Sequence, residues 1–222
     1  MQAIRIIINT AKTYYEEMLF FFATGGILFI TGLLIVPIPF ALVGVWIIAH
    51  RAVRGLGVSW KLYWDAVKQY GLRSLQLTLV LAFGYGLLAA NVWFYNTPDV
   101  SPIPDNVLAW TRPIVLIIGV VWIGLSFYAH AFLVELEEPG LLAILRSSLS
   151  LALIKPLTTL VLLIVTLLLT ALSIAVPILL LALPGFIATL SITAVRTLIT
   201  AVREKYGLTE EESGATDSTE LQ

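Results

Sequence analysis

Residues 49–76, AHRAVRGLGVSWKLYWDAVKQYGLRSLQ, place five of the chain's 13 basic residues (Arg51, Arg54, Lys61, Lys68 and Arg73) between two long uncharged runs. An apolar, basic, apolar succession is how a membrane chain keeps a loop on one side of the bilayer, because Lys and Arg resist translocation. This basic belt predicts a cytoplasmic loop that also faces anionic lipid, with the rest of the topology counted outward from it.

The composition agrees. Of 222 residues 59% are hydrophobic and only 12% charged, against about 25% charged in a soluble domain. The expectation is an all-α polytopic membrane protein with one transmembrane domain over residues 1–206. The chain has no cysteine, which removes disulfides, thiolate metal ligands and thiol nucleophiles together.

Upstream of the belt, Met18 to Ala49 carry no charge. As one helix they would measure about 48 Å, too long for a hydrocarbon core about 30 Å thick. Two helices are therefore expected, turning at Pro37 and Pro39, since two prolines so close remove donors and disfavour helical geometry before each. Before them, Ile4, Ile7, Ile8, Ala11, Tyr14, Tyr15 and Met18 recur at helical spacing. That pattern predicts a helix lying in the interface and feeding the first span, which is retained because no signal-peptide pattern precedes it.

Downstream, residues 76–95 read as a third span and 113–134 as a fourth, which ends at Glu135, Glu137 and Glu138. Leu157 to Val195 are uncharged again and are broken at Pro177 and Pro184, giving a second hairpin. Six spans result, at about 18–36, 39–54, 76–95, 113–134, 157–177 and 184–203. With that division every Lys and Arg but Arg112 falls on one side, so both termini are expected in the cytoplasm. Two amphipathic cytoplasmic helices join the spans. One is capped by Ser59 and has Trp60, Tyr63, Trp64, Val67 and Tyr70 on a face in the headgroup region; the other follows Pro139 and docks on the bundle. The acidic, Ser/Thr-rich residues 207–222 are expected to be disordered.

A weak internal repeat accompanies this order. Ala49-His50 and Ala129-His130 carry the only histidines, and Pro39–Arg51 and Pro184–Arg196 have equal spacing.

Two segments, VPIPFALVGVWIIAHRAVRGLGVSWKLYWDAVKQYG and FYAHAFLVELEEPGLLAILRSSLSLALIKPLTTL, resemble the two signatures of the YesL-like family of bacterial membrane proteins. The resemblance covers about a third of the chain and departs from the family where Pro39-Phe40 stands in place of its usual Thr. It implies a multi-span inner-membrane protein of unassigned biochemical activity linked with carbohydrate uptake, and it supplies no catalytic residues.

The residues themselves point away from chemistry. Span interiors lack Asp, Glu, Lys and Cys, so neither a paired acid and base nor an activated nucleophile is in view. Two histidines without a third ligand at metal spacing are better explained as polar anchors. No catalytic residue, cofactor or metal is expected. Membrane lipids, a transporter subunit or a second copy of the chain are the expected partners, and nucleic acid is not. The mid-span polar groups are hydroxyls and amides, among them Tyr85, Asn91, Ser126 and Thr170. A cavity lined by these would indicate a transporter or pore in its own right; a dry bundle would indicate an accessory or component of solute transport.

One ionic contact is also expected. Glu135 ends the fourth span and Arg51 and Arg54 end the second, so antiparallel packing brings them to one depth, where a carboxylate needs a partner. Pairing of Glu135 with Arg51 is predicted, with Glu137 and Glu138 reaching water.

Overall fold

The computed structural model describes residues 2–32, 38–97, 104–136 and 140–205, and within them it contains helices and turns but no strand. Eight helices follow in order: α1 (Gln2–Glu16), α2 (Met18–Gly32), α3 (Ile38–Val53), α4 (Trp60–Asn96), α5 (Asp105–Glu135), α6 (Leu141–Ile154), α7 (Pro156–Ala175) and α8 (Leu179–Lys205). Pro37, Asp99, Glu137, Glu138 and the acidic tail lie outside the described residues.

Four helices, α4, α5, α7 and α8, are long and apolar enough to cross a membrane; α2, α3 and α6 are apolar but shorter. At 15 and 16 residues, α2 and α3 rise only about 22–24 Å each. Helix length therefore supports four of the six expected spans.

The largest departure is α4. The expected cytoplasmic helix and third span are one helix of 37 residues with Ser59 as its N-cap, accepting from the Leu62 N–H at 3.3 Å. Arg73, Ser74 and Gln76 suggest a boundary, yet nothing there breaks a helix. Gly71 is tolerated because an added Cβ would meet the Phe40 ring at 2.5 Å, so its small size lets α3 and α4 close up. Nor does the aromatic face of this helix lie free for headgroups. Tyr63 and Ala66 are buried, with the Tyr63 ring on Gly44, while Trp60 and Trp64 stay exposed.

These contacts place α3 antiparallel to the first half of α4 only. The Ser74 hydroxyl donates to the Pro39 carbonyl, so the first turn of α3 is level with Ser74. Residues 75–96 run on for about 33 Å beyond it. Along that stretch α4 pairs with α5, where Trp122 fills the space over Gly84 and its N–H donates to the Leu81 carbonyl at 3.3 Å.

The molecule consequently has two unlike halves. In one, α1, α3, α6 and the adjoining parts of α4, α5 and α8 form a well-packed core: residues 127–134 of α5 and 188–195 of α8 are buried without interruption. In the other, α4, α5 and α7 expose large apolar side chains such as Leu79, Phe83, Leu87, Ile114, Ile117, Leu167 and Leu168. Exposure of that kind, on helices long and apolar enough to cross a membrane, suits a surface that meets lipid.

One further expectation changes. Pro184 is inside α8, and the turn before that helix lies at Val176–Ile178 instead. A proline near the start of a helix removes one hydrogen bond without ending the helix. At the N-terminus, α1 packs along α8, burying Ile6 and Thr10 and leaving Ile4, Ile8 and Tyr15 exposed. It continues into α2 across a single break at Glu17, and Phe21 and Gly25 of α2 reach Gly185 and Leu181 of α8. The α6 helix docks on α5 as expected, burying Ile144, Ser148, Leu151 and Ala152.

Candidate functional site

The packed half ends in a group of charged side chains around Glu135, the last residue of α5. Its Oε1 accepts from Arg54 Nη2 at 3.2 Å and stands 3.5 Å from Arg196 Nε. Its Oε2 is 2.9 Å from His50 Nε2, close without being aligned as a hydrogen bond, and neither of these two atoms has an aligned partner among the described residues. Glu135 is paired, as expected, but Arg51 is not its partner.

Helical geometry explains the correction. Trp46, His50 and Arg54 succeed one another at intervals of four and share one face of the chain around α3, whereas Arg51 points about 100° away. Its Nε donates to the Gly57 carbonyl at 3.1 Å, bracing the turn that follows. That turn is a Schellman close: Leu56 N–H bonds Arg51 O, Gly55 N–H bonds Ala52 O, and Gly55 sits at φ 67°. It brings Arg54 back over the end of α3.

Deeper in, the same face of α3 carries a polar seam. The Trp46 indole N–H donates to Ser191 Oγ of α8 at 3.2 Å, and the Trp46 ring lies 5.2 Å from that of His130 on α5. His130 is buried, and its Nε2 has no partner among the described residues. The two histidines, alike in sequence context, thus do different work, as do Arg51 and Arg196.

In front of Glu135 lies a polar cleft of about 750 Å³ between α1, the turn after α3, and α8. Lys12, Arg54 and Arg196 line it, with Glu16, Thr193 and Thr197 among their neighbours. A second cleft of about 400 Å³ adjoins it through Asn9, Arg196 and Thr197 and adds Gln2, Arg5, Thr200 and Glu204. Both ends of the described chain therefore meet here. Sequence reasoning overlooked Lys12 and Thr193, and it read His50 as a polar anchor and Arg196 as part of a repeat without bringing either to Glu135; only the interval of four between His50 and Arg54 hinted at a shared face.

The rest of the basic belt is elsewhere. Lys61 and Lys68 are exposed on α4 and Arg73 is half-buried. Among the described residues, no three His, Cys, Asp or Glu side chains come close enough to hold a metal ion. The cations of the cleft, Lys12, Arg54 and Arg196, suit it to binding anionic groups.

The two apolar clefts lie on the other half. One, of about 390 Å³, is between α4 and α5; the other, of about 330 Å³, is between α5, α6 and α7. No family model matches the chain, and no match is found among curated proteins or solved structures.

Proposed function

We propose that this chain is a non-enzymatic membrane protein acting as an accessory or component of solute transport, with the Glu135 end on the cytoplasmic side of a bacterial inner membrane. The link to transport, and to carbohydrate uptake in particular, rests on the resemblance to the YesL-like family.

The observation that favours an accessory over a pore is where the polar groups of the apolar half spend their hydrogen bonds. Asn91 donates to Leu87 O, Ser126 to Trp122 O and Thr170 to Thr166 O, each within its own helix. None of the three lines the clefts between α4, α5 and α7, whose walls are mostly apolar. A solute path would instead turn such groups toward a shared polar cavity.

In this reading α4, α5, α7 and α8 cross the bilayer. Its outer face lies toward Trp93 and Trp110, exposed aromatic residues of the kind that settle at interfaces. The α2 and α3 helices, of 15 and 16 residues, are each too short for a full crossing, and four crossings leave both termini on one side.

Purification from native membranes in mild detergent tests the role: a transporter subunit is expected to copurify in fixed ratio. Purified protein that carries solute into liposomes by itself, with no such subunit recovered, would replace this reading with that of a transporter.

A further inference from the structure

We propose that the cleft in front of Glu135 is a binding site for a phosphate-type oxyanion, presented by a lipid headgroup or by a free phosphate compound. This goes beyond the accessory role and does not depend on it. Three cations from three separate elements, Lys12 of α1, Arg54 of the turn and Arg196 of α8, line one cleft. Like charges converge in this way when a bound anion offsets their repulsion.

The acids present do not offset them fully. Glu16 is the acid on the cleft wall, and Glu135 stands behind, shared by two guanidiniums and His50. Each guanidinium has five N–H donors in a planar fork. Arg54 gives one hydrogen bond to Glu135, and Arg196 approaches it at 3.5 Å through Nε alone. Their side chains remain 39% and 38% exposed, which leaves donors for a second, outer oxyanion. Glu135 thus holds the forks in place rather than saturating them.

An independent sign comes from Thr193. It lines the cleft and is only 6% exposed, yet its hydroxyl has no hydrogen-bond partner among the described residues. A buried hydroxyl left so calls for an explanation, and unlike those of Thr10 and Thr78 it belongs to a residue that lines the cationic cleft.

The test uses the full chain in nanodiscs, with two probes. Inorganic phosphate is titrated by calorimetry against protein in phosphatidylcholine discs, and retention of phosphatidylglycerol is read by native mass spectrometry from mixed discs. Saturable phosphate binding in phosphatidylcholine assigns a free phosphate ligand; phosphatidylglycerol retention without it assigns a lipid headgroup. Lys12→Gln and Thr193→Val avoid the ion pairs of Glu135. Lys12→Gln should weaken the bound probe about tenfold and Thr193→Val about threefold. Arg112→Gln, at the opposite end of the molecule, should bind as the parent. Unchanged binding in both cleft variants, or no saturable binding of either probe, overturns the proposal.

Discussion

His50 and Glu135 meet at 2.9 Å where α3 and α5 end side by side, with 13% and 16% of their side chains exposed. A carboxylate so enclosed relies on the donors around it. Glu135→Gln should therefore destabilise the protein by about 1–3 kcal/mol, read as a lower unfolding temperature in detergent. Arg54→Ala should cost less, since that side chain is 39% exposed, and the double variant should cost less than the sum. Arg51→Ala, which leaves the cluster intact, should be milder than Glu135→Gln; an equal loss would mean that Arg51 supports Glu135 after all.

Gly44 and Gly26 make a matched pair. An alanine Cβ at 44 would overlap the Tyr63 ring, whereas at 26 it meets nothing within 4 Å. Gly44→Ala should cost about 1–3 kcal/mol through overpacking. Gly26→Ala should be neutral or stabilising by up to about 1 kcal/mol through helix propensity. Unfolding curves in which both behave alike would argue against close α3–α4 packing.

Ser191 accepts from the Trp46 indole in the core. Ser191→Ala leaves that N–H buried without a partner, and a loss of about 1–3 kcal/mol is expected. Trp46→Phe in the same background should recover part of it, because the orphaned donor goes with the indole. Failure of that recovery would locate the Ser191 effect elsewhere.

Cysteine labelling separates four crossings from six. With an impermeant thiol reagent applied from outside, Asp105→Cys should react and Lys61→Cys should not. Ile38→Cys, at the start of α3, should also stay unlabelled, because α2 and α3 are too short to carry it to the outer face. Labelling at 38 would restore the six-span arrangement.

Some of this was written in the chain. Uncharged runs, proline breaks and one-sided basic residues announce an all-helical, membrane-suited protein, because hydropathy and charge act locally and leave a linear trace. The Ser59 cap and the pairing of Glu135 were legible for the same reason. What the chain could not disclose is register between helices. Whether Arg51 or His50 meets Glu135 depends on which face of α3 turns inward, and that is decided by Tyr63 fitting over Gly44 and Trp46 reaching Ser191. Likewise Arg73 and Gln76 resemble a membrane boundary in sequence, yet α4 runs through them unbroken because Gly71 and Ser74 are held against Phe40 and Pro39. The cationic cleft is the extreme case: Lys12, Arg54 and Arg196 lie far apart in the chain and become one site only when α1, the turn after α3, and α8 pack together.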